Sequence, residues 1–228
     1  MRRFPPEFSD LLTPKGRRLA SVGDKPFFAA SDLIDAKQAA GAFLLLERDL
    51  RAVLKPLVHA IPPETIANQT RNYQERLPKT VRNLAADIDG ARSKAAKIAR
   101  AIGLDAMMGS KSFFAFAQKL SGRELDPQFG RQVLRYGVGD YAGPHTDHHP
   151  EEPRAKDGYF DLHLTFAGAG AKRQLLVYAN AGHFDQVAEV AVAGGVTAYR
   201  LPFWHYTTPL EGPPDAARWV VLATFLYA

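Results

Sequence analysis

The sequence predicts an α+β fold in which helices from the N-terminal half pack against a double-sheet β core built by the C-terminal half. Three observations lead there. Apolar residues recur at helical spacing early in the chain, where Ala39, Ala42, Phe43, Leu46, Leu50, Val53 and Leu54 form one stripe. Beyond Asp126-Pro127 the texture changes to short runs of β-branched and aromatic residues. Gly168-Ala169-Gly170, Asn180-Ala181-Gly182, Gly194-Gly195 and Gly212-Pro213-Pro214 punctuate those runs, which is the turn chemistry of many short strands.

Taken in order, Ser31 or Asp32 caps a helix expected over about 33–58, bent or ended by Pro56 and closed by Ile61-Pro62-Pro63. Pro63 and Glu64 open a second helix that continues to Arg76. A third is expected over 79–102, stopped by Gly103 and weakened midway by Gly90. Asp105 caps a fourth that ends near Leu120, and its Phe113, Phe114 and Phe116 read as core. Strands are then expected over 132–136, 159–166, 174–178, 187–192, 196–201 and 219–226, with a turn at Gly137-Val138-Gly139-Asp140. Such a succession describes a double-stranded β-helix core, jelly-roll or cupin-like, with the N-terminal helices packed against it. No flexible linker lies near residue 126, so 1–228 reads as a single domain. Residues 1–125 form its mainly helical support region and 126–228 its core.

Composition narrows the chemistry. At 228 residues and 46% hydrophobic content the chain can bury a full core. It lacks cysteine, which excludes disulfides and thiolate metal sites, so a metal here must use His, Asp and Glu. No apolar run is long enough to span a bilayer. Met1-Arg2-Arg3-Phe4-Pro5-Pro6 is basic without the apolar stretch of a signal peptide, so the cytoplasm is the expected compartment. The net charge of +5 is unevenly spread: residues 1–125 carry 21 Lys and Arg against 13 Asp and Glu, and residues 126–228 carry 8 against 11. A basic excess on N-terminal helices, away from the chemistry, is that of solvated faces and argues against nucleic acid as a partner.

Histidine is distributed the other way. His59 alone precedes residue 126, whereas His145, His148, His149, His163, His183 and His205 follow it. His145 and Asp147 are two residues apart, so on an extended strand both point to one face and reach one metal from one side. His205 must arrive from another strand, which a rolled sheet permits. Two imidazoles and one carboxylate form the facial triad that holds a redox metal and leaves its other side open. His148 and His149 are expected to line the entrance or sit in solvent. His163 and His183 are expected to be structural or exposed, with His163 able to face the pocket from a central strand.

The flanks of these residues carry a resemblance. Arg135-Tyr136-Gly137-Val138-Gly139-Asp140-Tyr141-Ala142-Gly143-Pro144-His145-Thr146-Asp147 resembles the first metal motif of the 2-oxoglutarate/Fe(II)-dependent dioxygenase superfamily, in its prolyl-hydroxylase-like branch. Gly195-Val196-Thr197-Ala198-Tyr199-Arg200-Leu201-Pro202 is similar to the turn and strand before that family's second histidine. His205-Tyr206-Thr207-Thr208-Pro209-Leu210 resembles its H-x-V-x-P-V stretch, with a basic residue following at Arg218. The similarity covers about residues 131–228. It implies Fe(II) on His145, Asp147 and His205, and 2-oxoglutarate as cosubstrate with its far carboxylate on Arg218 and Tyr136. It also implies ascorbate as a candidate reductant, and hydroxylation of a small-molecule or peptidyl substrate with release of succinate and CO₂. A planar guanidinium suits the cosubstrate role because it pairs bidentately with a carboxylate.

The chain departs from the family pattern in two places. Ala171-Lys172-Arg173-Gln174-Leu175 stands where the family often has Gly-Gly-Glu-Leu, which weakens the alignment of that strand. Ala223-Thr224-Phe225 stands where the nucleic-acid demethylases carry a second arginine, which argues against base repair. Two other classes remain open: a non-catalytic cupin-like protein that binds metal or a small acid, and a zinc or manganese hydrolase using the same ligands. No G-x-S-x-G, P-loop, G-x-G-x-x-G with a following helix, or H-E-x-x-H motif competes.

Overall fold

The run Ala217–Tyr227 is buried at its first five positions in succession and at alternate positions after that, the pattern of a strand covered on both faces. The structure, a computed structural model, describes residues 1–23, 25–60, 80–90, 92–145, 158–180, 183–201 and 204–228. Its helices are α1 (Pro14–Arg17), α2 (Ala36–Asp49), α3 (Lys94–Ala101), α4 (Leu104–Met108) and α5 (Lys111–Ser121). Its strands are β1 (Phe27–Ala30), β2 (Lys55–Ala60), β3 (Thr80–Asp87), β4 (Leu125–Gly137), β5 (Tyr141–His145) and β6 (Tyr159–Ala167). They continue with β7 (Leu175–Asn180), β8 (His183–Glu189), β9 (Gly195–Leu201), β10 (Trp204–Thr207) and β11 (Ala217–Tyr227).

All eleven strands join one sheet in the order β1-β9-β6-β11-β4-β3-β5-β10-β7-β8, with β2 paired to β3 beside this path. The sheet curls nearly into a barrel. Its two terminal strands, β1 and β8, border one cleft of about 290 Å³ that Ala29, Ser31, Thr165, Glu189 and Thr197 line. No helix among the described residues is long and apolar enough to cross a membrane.

Strand alternation divides the molecule into two interiors. From β11, Trp219, Val221, Ala223 and Phe225 pack with Leu45 and Leu46 of α2 and Phe113 of α5. Val220 points the other way, into a cluster with Leu134, Tyr136 and Leu210. The outward face of the central strands is thus the apolar seat of the helices, and the inward face lines a lumen.

The six C-terminal strands that the sequence predicts are present, with limits shifted by up to seven residues, and two short ones that it does not list, β5 and β10, join them. The N-terminal half departs from its expected helices. The helix expected over 33–58 is α2 alone, capped by Asp35, whose Oδ1 accepts from the Gln38 N–H at 2.9 Å. Its buried Ala39, Ala42, Leu45 and Leu46 keep the helical stripe. Beyond Leu50 the stripe stops, and Lys55–Ala60 pairs as β2 with Thr80–Ala85 of β3. The helix expected over 79–102 is likewise strand first and helix second. Val81, Leu84, Ala85 and Ile88 recur at helical spacing, yet Leu84 to Asp87 pair with β4, and this long-range pairing overrides the local period. The helix resumes at α3, capped by Ser93, whose Oγ accepts from the Ala96 N–H. The expected segment from Asp105 to Leu120 is split in two at Gly109. Ser110 caps the second piece, its Oγ accepting from the Phe113 N–H at 3.2 Å. The helix expected from Pro63 to Arg76 lies outside the described residues.

One ion pair fastens the helical layer to the sheet. Arg135 of β4 points outward, away from the lumen, and its Nε and Nη2 both reach the Glu47 carboxylate of α2, at 3.0 and 2.7 Å. The Arg135 side chain is 9% exposed, so this is a buried, forked pair. Glu47→Ala would strand a guanidinium in an apolar layer. It is expected to lower unfolding stability by about 3 kcal/mol, measured as a fall in the urea midpoint at unchanged slope. A midpoint shift no larger than that of an exposed Glu→Ala control would show the pair to be inconsequential.

Candidate functional site

The site begins with a turn. The Gly137 N–H donates to Asp140 Oδ2 at 2.7 Å, and Arg82 Nε pairs with Asp140 Oδ1 at 3.0 Å. Gly139 sits at φ 79, the left-handed region that favours glycine. The turn is bound to the segment that follows β10. The Gly139 N–H donates to Leu210 O at 2.8 Å, and the Leu210 N–H donates to Asp140 O at 3.0 Å.

Three further bonds align β5 with β10. The Ala142 N–H donates to Thr207 Oγ1 at 2.8 Å. The side chain of Gln174, fully buried, donates from Nε2 to Asp140 O at 3.1 Å and to Thr208 O at 2.9 Å. Gln174 stands where the sequence departs from the family pattern. The position that weakened the alignment therefore braces both histidine-bearing segments at once.

The outcome is a cross-strand pair. His145 of β5 lies opposite His205 of β10, with ring centroids 4.4 Å apart and ring planes at 50°. His145 Nδ1 is 2.6 Å from Gly143 O. A carbonyl can only accept, so Nδ1 carries the proton and Nε2 keeps the lone pair a metal needs. His205 is buried, and its Nε2 lies 3.5 Å from the hydroxyl of Tyr199, which is 3.1 Å from His163 Nε2. His163 thus faces the lumen from a central strand and meets His205 only through the Tyr199 hydroxyl. Asp147, His148 and His149 lie outside the described residues, and His183 begins β8. Among the described residues no three His, Asp or Glu side chains gather as a metal site, so the pair supplies two donors of a set.

Arg218 enters the same lumen from the start of β11, in register with Tyr136 of β4. It is 3% exposed, and its guanidinium lies 4.5 Å over the Tyr136 ring. Its Nη1 is 3.5 Å from Thr165 Oγ1, a marginal hydrogen bond, and its Nε has no partner. Burial pushes the group below its ordinary value, while Tyr136, Tyr199 and Glu189 act in the opposite direction. Arginine does not surrender its proton in proteins, so this shift marks a buried cation that lacks a full counter-charge. Thr165 and His163 are successive inward residues of β6, so the arginine contact and the histidine cluster stand about one pleat repeat, ~7 Å, apart. Two imidazoles with a cation one repeat deeper make a site suited to a metal and a short dicarboxylate. The donor set fits both.

Arg135 and Tyr136 illustrate how pleat divides a motif: the tyrosine faces the lumen and the arginine faces the helices. Thr165, Tyr199 and Asp161 share the lumen with the expected residues, and sequence reasoning did not name them for the site. Their inward parity follows from the β6–β9 register, in which Asp161 opposes Tyr199 and His163 opposes Thr197, and register is a tertiary property.

No family model and no curated protein matches the sequence. Solved structures do match. A prolyl-4-hydroxylase from Pseudomonas putida superposes with a TM-score of 0.53 at 12% identity, covering 89% of this chain and 93% of that one. An oxidoreductase of the 2OG-Fe(II) oxygenase family from Burkholderia pseudomallei gives 0.57 at 14% identity, covering 88% and 85%. The non-heme alpha ketoglutarate dependent epimerase SnoN from nogalamycin biosynthesis gives 0.54 at 14% identity, covering 90% and 80%. This chain therefore has the jelly-roll fold shared by prolyl 4-hydroxylases and other 2-oxoglutarate–iron(II) oxygenases.

Proposed function

We propose that the protein is an Fe(II)- and 2-oxoglutarate-dependent oxygenase that hydroxylates a C–H bond and releases succinate and CO₂. The observation that carries this reading is the coexistence, in one lumen, of the His145–His205 pair and the buried Arg218 with its unpartnered Nε. The fold shared with a prolyl-4-hydroxylase and with an epimerase supports the cofactor class, while the outcome of the reaction rests on the site alone.

His145, His205 and Asp147 would hold the iron, two neutral imidazoles and one carboxylate partly neutralising a divalent cation. Bound iron(II) would supply the reduction of dioxygen coupled to oxidative decarboxylation of 2-oxoglutarate. The protein's part is placement. Arg218 would take the far carboxylate through its free Nε edge, with the Thr165 and Tyr136 hydroxyls beside it. The apolar walls of Leu134, Val220 and Leu210 keep water from that end, which strengthens the charge pairing. The Gly143 carbonyl fixes the His145 tautomer and ring orientation. Ascorbate would serve as an accessory reductant, and the cytoplasm remains the expected compartment.

Without oxygen, the protein with excess Fe²⁺ and 2-oxoglutarate is expected to develop a weak visible charge-transfer band; confirmed metal uptake without that band would overturn the cosubstrate assignment. With oxygen and substrate, succinate is the product to assay. A cupin-like binding protein would take up both ligands yet release none, and a zinc or manganese hydrolase would release none either.

Arg218→Met separates binding from folding. Removing a buried cation with an unpaired nitrogen is expected to leave thermal stability unchanged or raised, by up to about 3 kcal/mol, because the desolvation penalty disappears. The same change is expected to weaken 2-oxoglutarate binding about 30-fold or more by calorimetry. Unaltered affinity would remove Arg218 from the site. For the metal, Asp147→Ala is expected to abolish iron binding while His149→Ala largely retains it, and equal losses would show the ligands to be misassigned.

A further inference from the structure

We infer that the lumen beside the histidine pair accepts a cationic nitrogen group of the prime substrate, an alkylammonium or guanidinium, on Asp161. The inference rests on the oxygenase reading of the same site and names its substrate class. Asp161 lies on the inward face of β6, opposite Tyr199 of β9 and Thr224 of β11. It is 3% exposed, and its Oδ1 has no hydrogen-bond partner. Its Oδ2 stands 3.8 Å from His163 Nε2, beyond hydrogen-bond reach, and that nitrogen is already engaged with the Tyr199 hydroxyl at 3.1 Å. A carboxylate oxygen withdrawn from water without a donor is costly for a fold to hold, and points to a ligand that completes it.

Position and charge say which ligand. Asp161 connects through His163 and Tyr199 to His205 Nε2, so a nitrogen seated on Asp161 leaves its neighbouring carbons on the metal side of the lumen. In the loaded site Arg218 would answer the far carboxylate of 2-oxoglutarate. The near carboxylate and Asp147 would answer the divalent metal. Asp161 is left without a counter-charge. A hydroxyl would satisfy one lone pair and leave the charge standing, and an anion would be repelled. A cation bearing N–H donors resolves both the orphaned oxygen and the imbalance.

The test uses the full chain loaded with Co²⁺ and 2-oxoglutarate, with propylguanidinium and butylammonium as probes and 1-butanol and butyrate as controls. Co²⁺ uptake is read from its visible absorption, and probe binding from paramagnetic broadening of the probes' proton resonances. Both cations are expected to broaden saturably, with butanol and butyrate far less affected. In Asp161→Asn, or in Asp161→Ser should the first variant not fold, the cation dissociation constant is expected to rise at least tenfold. Equal broadening in the variant, or preference for butyrate, would overturn the cation site and leave the oxygenase reading intact. Failure of the wild-type protein to take up Co²⁺ would count against the metal reading instead. Calorimetric titration of the metal-free protein with propylguanidinium would then still decide the role of Asp161, saturable wild-type binding lost in the variant supporting it and no binding rejecting it.

Discussion

The pairing of β5 with β10 is the constraint on which the site depends. Two histidines sixty positions apart in the chain become cross-strand neighbours only if Tyr141–His145 and Trp204–Thr207 share one register. That register is not left to the strands, which are five and four residues long. The Gly137–Asp140 turn is bonded to Leu210, the Ala142 amide to Thr207, and the Gln174 amide to carbonyls on both sides. A fully buried side-chain amide that donates to a carbonyl on each of the two segments is a strong restraint, because losing it removes a bond from both in a dry interior.

Around this brace the protein separates two kinds of interior. Outside the sheet, Trp219, Val221 and Phe225 pack with the helices in an apolar layer whose function is stability. Inside, the lumen holds Arg218, Asp161, Thr165, Thr197 and His205 at exposures of 5% or less, the first two with incomplete hydrogen bonding. The chain tolerates the second because the first supplies the folding energy. Polar groups short of partners in a rigid wall are pre-organised for a ligand, and binding recovers what their burial costs.

Much of this was legible in the sequence, and the division is physical. Strands rich in Val, Leu and Phe between Gly and Pro turns announce themselves, as Trp219 to Leu226 did. The His-x-Asp spacing, the distal histidine and the following arginine were visible as an ordered set, and both histidines and Arg218 do share the lumen. Strands β2 and β3 were hidden because Val81, Leu84, Ala85 and Ile88 mimic a helical period, and only pairing with distant partners decides their conformation. Gln174, Tyr199 and Asp161 were hidden for a related reason. Nothing local distinguishes a lumen residue from its outward neighbour until register is known.

The two neighbours Arg135 and Tyr136 carry that lesson further. One reaches out to Glu47 and fastens the helical layer, and the other reaches in beneath Arg218. Strand β4 therefore has a parity. An insertion or deletion of one residue on this stretch would turn a guanidinium into the lumen and a phenol toward the helix, dismantling scaffold and pocket at a stroke. A change of two residues would preserve both assignments. Along this strand, length can drift among descendants of the chain only in even steps.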